Sequence, residues 1–155
     1  VVVTVLRRAA IVAVGSELLT PSKIDTNSLY ITEQLNRLGV EVMVKLVVGD
    51  MREELTEAVR SLLARVDVLI LSGGLGPTDD DVTREAVSAA LGRPLAEDEA
   101  ITTRLRERFK ARGFAMPMPE TNRRQAMDSA ARKLGRPDAA SAVAAEITRM
   151  ISDRR

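Results

Sequence analysis

The sequence predicts an α/β fold built on a parallel sheet, and three observations lead there. Short apolar runs recur at Ala9–Val14, Val40–Val48 and Val66–Leu71. Each is followed by a polar or glycine-containing loop and then by a stretch with helical spacing. Glycine closes the helical stretches, as at Gly39 and Gly92, which ends a helix before a new strand begins. Strands and helices alternating at this rhythm pair in parallel through right-handed crossovers.

Ala9–Val14 (AAIVAV) is apolar throughout, the pattern of a strand buried on both faces, and Gly15 ends it. Val1–Leu6 either adds an edge strand or extends this one backwards. Ser16–Thr26 is a polar loop containing Pro21. Asn27–Leu38 has helical spacing with Leu29, Leu35 and Leu38 on its apolar side. Val40–Val48 is rich in valine and partly alternates, so it is the second strand. Gly49-Asp50 opens a helix reaching Arg65, with Asp50 three residues before Glu53 in near capping-box spacing. Val66–Leu71 is a third buried strand. The glycine-rich loop Ser72–Thr78 then leads into a helix over Asp80–Leu91, whose first turn holds the aspartates. Beyond Pro94 the character changes: Glu97–Arg112 is a charged helix and Met116-Pro117-Met118-Pro119 a linker. Asn122–Lys133 and Asp138–Ser152 are helical, and no strand is expected after residue 95. The expected division is an α/β domain over 1–127 and a helical tail over 128–155.

Composition removes whole classes of chemistry. A chain of 155 residues is long enough to bury a core unaided. With one Tyr, two Phe and no Trp, that core is aliphatic and stacking platforms for single-stranded nucleic acid are excluded. Lys+Arg 23 against Asp+Glu 22 gives a net charge of +1, so no global field favours nucleic acid or an anionic membrane. The absence of cysteine and histidine excludes disulfides, thiolate nucleophiles, Ser-His-Asp triads and Cys/His zinc sites. Carboxylates, hydroxyls, cationic side chains and the backbone remain, and carboxylates suit hard cations such as Mg²⁺. Arg7 and Arg8 interrupt the apolar start, neither a membrane span nor a signal-peptide pattern is present, and a cytoplasmic location is expected.

In open parallel sheets ligands bind beyond the carboxyl ends of the strands. The loops leaving those ends carry Gly15-Ser16-Glu17 and Asp25-Thr26-Asn27-Ser28, then Asp50, then Ser72-Gly73-Gly74-Leu75-Gly76-Pro77-Thr78-Asp79-Asp80-Asp81. Gly73, Gly74 and Gly76 let backbone N–H groups approach a phosphate, and the following helix adds its positive end. Three aspartates would repel a bare phosphate, whereas a divalent cation binds both partners at once. Two readings stand side by side: a metal-bridged phosphate site, or helix capping by at least one of the aspartates. Glu17, Asp25, Asn27 and Asp50 admit the same two readings. Arg104, Arg106, Arg108, Lys110 and Arg112 spread around their helix and read as a solvated face.

These segments, in order, closely resemble the N-terminal domain of the competence/damage-inducible protein A (CinA) family, in the molybdopterin-binding (MoaB/Mog-like) superfamily. The likeness rests on Gly15-Ser16-Glu17-Leu18-Leu19, Ile24-Asp25-Thr26-Asn27-Ser28, Val48-Gly49-Asp50 and Gly73-Gly74-Leu75-Gly76-Pro77-Thr78-Asp79-Asp80-Asp81-Val82-Thr83, and runs from Arg8 to Met127. The resemblance implies a three-layer α/β/α fold with a nucleotide or pterin site at the sheet's carboxyl edge. It also implies metal-dependent hydrolysis of the pyrophosphate of ADP-ribose, with Asp80 and Asp81 holding the metal and Ser72–Thr78 the phosphate. Gly15, Glu17, Asp25, Asn27 and Asp50 would line the same crevice. After Met127 the sequence departs from the family pattern, so the second half is expected to be truncated and the family's amidase domain missing. Without histidine, any general base is a carboxylate such as Glu17 or Asp50. The sequence therefore points to a domain that binds a nucleotide diphosphate with a divalent metal and hydrolyses it. The alternative is a non-catalytic nucleotide- or pterin-binding or assembly module that oligomerises through an exposed sheet edge.

Overall fold

The computed structural model describes residues 6–111 and the strand Met127–Ser129. In chain order the elements are β1 (Arg8–Val14), a 3₁₀ turn (Ser16–Leu19), α1 (Thr26–Arg37), β2 (Glu41–Val48) and α2 (Arg52–Leu63). They continue with β3 (Val68–Ser72), α3 (Thr83–Leu91), β4 (Leu95–Glu97), α4 (Glu99–Ala111) and β5 (Met127–Ser129). The sheet has the order β2-β1-β3 with both pairings parallel, as the strand–helix alternation requires. Ala13 lies opposite Val47 on one side and Ser72 on the other, so the three carboxyl ends fall along one edge.

The central strand β1 is apolar because it is covered on both faces. Ala9 to Ala13 are at most 1% exposed. Side chains alternate along a strand, and Ala10, Val12 and Val14 pack with Val48, with Leu55, Val59 and Leu62 of α2, and with Ala86 of α3. Those α2 residues recur at helical spacing and make the buried stripe of an amphipathic helix. Ile11 faces the other way and is fully buried. Helix α1 contacts β1 and β2 but contributes nothing to the α2/α3 cluster, which leaves it the opposite face.

Several expectations need correction. Leu29 of α1, placed on the apolar side from its spacing, is 56% exposed, and Ser28 is the buried residue of that helix. Strand β3 is half-buried along its length, being at the edge of the described sheet. Helix α2 starts at Arg52 with Met51 at its N-cap, so Asp50 is not its cap. Helix α3 starts at Thr83, so the aspartates precede it in the loop and do not occupy its first turn. The expectation of no strand after residue 95 fails at β4 and β5, which pair antiparallel. Met127–Ser129 was expected to be helical, and the boundary at 127/128 falls inside this strand. The helix expected over Asp138–Ser152, the linker expected at Met116–Pro119 and residues 1–5 lie outside the described residues.

Leu55→Ala removes a fully buried side chain from the centre of the α2 stripe and should cost about 3 kcal/mol. The exposed Leu63 on the same helix, changed to Ala, should alter stability by less than about 0.5 kcal/mol. Urea denaturation of the two variants beside the unaltered chain checks the contrast.

Candidate functional site

Two loops meet at the end of β1. Leaving β1, Gly15 donates its N–H to the Val48 carbonyl (3.0 Å), tying the loop to the end of β2. Ser16 N–H then donates to Asp50 Oδ2 (2.8 Å), and Asp50 N–H donates back to Ser16 Oγ (3.0 Å). Asp50 therefore braces the β1 loop against the β2 loop. Glu17 is exposed, and its carboxylate lies over Gly15, where a Cβ would come within 2.6 Å of Oε2. Asp25 is the N-cap of α1, its Oδ1 accepting from the Ser28 N–H (3.0 Å), with Asn27 exposed in the following turn. Because α1 joins two parallel strands it runs back along the sheet, so its N-terminus lies at the same edge.

The glycine-rich loop leaves β3 at Ser72 and crosses over β1. A Cβ on Gly73 would lie 2.0 Å from the Val14 carbonyl oxygen, and the residue has φ +100°, so glycine is required on both counts. A Cβ on Gly74, at φ +60°, would lie 2.5 Å from Thr83 Oγ1. From there the start of α3 takes hold of four successive carbonyls. Thr83 Oγ1 donates to Gly73 C=O (2.9 Å) and Thr83 N–H to Gly74 C=O (3.2 Å). Arg84 Nη1 donates to Leu75 C=O (2.6 Å) and Nη2 to Gly76 C=O (2.7 Å).

A trans peptide sets its C=O and N–H on opposite sides, and no described peptide bond is cis. Turning the carbonyls of Gly73 and Gly74 toward α3 thus turns the N–H groups of Gly74 and Leu75 away from it. Those two amides stay outside the hydrogen-bond network of the described residues. The next amide, Gly76 N–H, donates to Asp81 Oδ1 (2.7 Å), and Pro77 has none. Thr78 gives its N–H (2.9 Å) and its hydroxyl to Asp81 Oδ2. The Asp81 carboxyl is held below the ordinary aspartate range by the Thr78 hydroxyl first, then by the Gly76 and Thr78 amides and the Arg84 charge, against partial desolvation.

This arrangement bears on the expected metal ligands. Both Asp81 oxygens already accept hydrogen bonds from the loop, and Asp80 is exposed. Among the described residues no three acidic side chains converge to hold a cation. The residues as placed do not fit a cation held by the protein alone. The structure brings Gly15, Ser72, Gly73, Gly74, Gly76, Pro77, Thr78, Asp81 and Asp50 to the edge around β1. It gives Asp25 a capping role, and no described contact links Asp25 or Asn27 to the glycine loop. Ser16, Thr83 and Arg84 were not singled out as binding residues. The sequence carried no signal for Arg84, because its place in the first turn follows from the helix starting at Thr83 and not at Asp80. A separate polar groove, lined by Glu97, Glu99, Thr102, Thr103 and Arg106, shares no residue with this edge. The described basic residues of α4 (Arg104, Arg106, Arg108 and Lys110) are exposed, as expected. No helix among the described residues is long and apolar enough to cross a membrane.

Comparison with known proteins agrees with this fold. Residues 10–150 match the family described as "Probable molybdopterin binding domain". A CinA-like protein of Solibacter usitatus is 53% identical over 118 residues, covering 76% of this chain and 28% of the relative. The chain thus spans little more than a quarter of the length of such relatives. The crystal structure of CinA from Thermoplasma acidophilum superimposes with a TM-score of 0.74 at 28% identity, over 81% of this chain and 72% of that one. The molybdopterin biosynthesis Mog protein of Mycobacterium ulcerans shares the fold, with a TM-score of 0.56 at 21% identity over 93% and 99% of the two chains.

Two outcomes follow from the loop geometry. Gly73→Ala should destabilise severely, by more than about 3 kcal/mol, because backbone on both sides prevents relaxation; thermal unfolding measures it. Asp81 has a depressed folded-state pKa, so its contribution is complete above the ordinary value of 3.8 and is lost as pH falls through the lower folded value. Stability of the unaltered chain should therefore drop more steeply below pH 3.8 than that of Asp81→Asn, as read by urea midpoints across pH 2–6.

Proposed function

Because the chain belongs to the family described as the probable molybdopterin binding domain, we propose that it binds a phosphate-bearing small molecule of the pterin or nucleotide class, with the phosphate on the Gly74 and Leu75 amides. The observation that carries this reading is the orientation of those two N–H groups. Adjacent backbone amides directed to one side, at a glycine of positive φ, form a concave donor pair suited to an oxyanion. The family name supplies the pterin, and the resemblance carried by the sequence motifs supplies the nucleotide alternative. Glu17 and Asp50 belong to the neighbouring loops at the same strand end, where they would meet the remainder of such a ligand.

Metal-dependent hydrolysis of a pyrophosphate is the finer proposal. Of the two expected metal ligands, Asp80 is the exposed one and would be the carboxylate offered to a divalent ion that arrives with the ligand. Asp81 would have to exchange its bonds to Gly76 and Thr78 for the metal. Binding without turnover is therefore the reading the geometry favours.

A thermal melt with ADP-ribose, with and without Mg²⁺, followed by an assay for AMP, separates these readings. At about 100 times its dissociation constant a ligand should stabilise the native state by roughly 2.7 kcal/mol. Stabilisation without metal and without AMP release is the expected result. AMP formation abolished by chelator and by Asp80→Ala would establish hydrolysis instead. A melt unmoved by ADP-ribose, by other nucleotides and by pterin phosphates would overturn the binding proposal.

A further inference from the structure

We infer that Arg84 is the positioning residue of the glycine-rich loop: through the carbonyls of Leu75 and Gly76 it fixes the stretch that follows the Gly74 and Leu75 amides, so that the pair Thr83 orients keeps its place against the ligand. The inference deepens the binding reading above and rests on it only for its ligand measurement. Three features carry it. First, Arg84 lies in the first turn of α3, where a cation opposes the helix dipole, so its placement needs compensation from nearby acceptors. The two carbonyls at 2.6 and 2.7 Å supply it.

Second, the Leu75–Gly76 peptide is held at both ends. Its carbonyl accepts from Arg84 Nη1 and its N–H donates to Asp81 Oδ1 at 2.7 Å. A peptide so held cannot rotate, and the preceding amide at Leu75 is held with it, since Thr83 fixes the Gly74 carbonyl. The next peptide, Gly76–Pro77, has no N–H, so its orientation can be set only from the carbonyl side, which Arg84 Nη2 occupies. A guanidinium reaches two successive carbonyls because its donors form a rigid planar fork; an ammonium is a point donor on a flexible stem.

Third, Arg84 Nε is buried and has no hydrogen-bond partner. A buried donor left unmade is unfavourable. An arginine serving only solubility would turn this atom to water, whereas one committed to two loop carbonyls cannot. Arg84 touches the loop's inner side, opposite the Gly74 and Leu75 amides, and so acts on the ligand only through the backbone.

Amide hydrogen exchange and a pyrophosphate titration, both by NMR on the full chain, test this in the unaltered protein, Arg84→Lys and Arg84→Met. In both variants the Gly76 amide should exchange at least about tenfold faster, the effect of losing about 1.4 kcal/mol of local restraint. The amides of Val59 and Leu62 in α2 should keep their protection, which a mere loss of global stability would not allow. Inorganic pyrophosphate should bind about tenfold more weakly to Arg84→Lys, because charge without the fork does not restore the loop. Unchanged exchange at Gly76 in Arg84→Lys, or full recovery of the loop by lysine, overturns the inference. If Arg84→Met does not fold, the lysine variant decides alone. If the unaltered chain binds neither pyrophosphate nor the ligands above, the binding proposal falls, while Gly76 exchange still decides the role of Arg84.

Discussion

The planarity of the trans peptide, combined with the grip of α3 on four carbonyls, is the constraint on which the candidate site depends. A glycine-rich loop has ample conformational freedom, and freedom alone creates no binding site. Thr83 and Arg84 remove it by accepting responsibility for the carbonyls of residues 73 to 76. Once those are fixed, the N–H groups on the far side have no choice of direction. The order of residues matters for the result. Two amides are turned outward, the third is returned to Asp81, and proline removes the fourth.

Everything beneath the loop keeps that grip in register. Strand β1 is central and dry, so its end is the fixed point of the edge. Gly73 passes so close to the Val14 carbonyl that the loop can cross β1 only where no side chain intervenes. Ser16 and Asp50 join the other two loops by reciprocal hydrogen bonds over the same strand end. At the opposite end Asp67 accepts from the N–H groups of Arg7 (3.0 Å) and Arg8 (2.9 Å), fixing the start of β1 to the approach of β3. These two amides hold the Asp67 carboxyl below its ordinary range, with the arginine charges adding to the effect. Carboxylates thus brace both ends of the central strand.

The sheet was legible in the sequence because its signal is local. Ala9–Val14 is apolar at every position and is buried at every position, and Gly92 ends α3 in the left-handed conformation that its spacing suggested. What was not legible depends on where chains cross. Asp50 reads as a helix cap in sequence, since the capping geometry is local, yet its partner is Ser16, 34 residues away. Asp81 reads as a cap or a metal ligand, yet it accepts from Gly76 and Thr78 because the loop folds back before α3 begins. Leu29 has the spacing of a buried face but is exposed, since α1 covers its side of the sheet through few buried side chains. Strand β5 carries no alternating pattern that its three residues could display, and only its pairing with β4 defines it.

The acidic run looked hostile to an anion, and the structure resolves this by local neutralisation. Two like charges 4 Å apart cost about 1 kcal/mol in water, and several times that where water is excluded. Asp79 and Asp80 are exposed, so solvent and salt screen them. Asp81 is the carboxylate drawn into the loop, and it is also the one that receives two amides, a hydroxyl and the influence of the Arg84 charge. Its charge is engaged in holding Gly76 and Thr78, while Arg84 holds the carbonyl end of the same Leu75–Gly76 peptide. A divalent ion is one way to reconcile carboxylate with phosphate; an internal arginine is another, and it requires no third component. The same carboxylate that suggests a metal in the sequence is, in the folded chain, half of the device that shapes the loop.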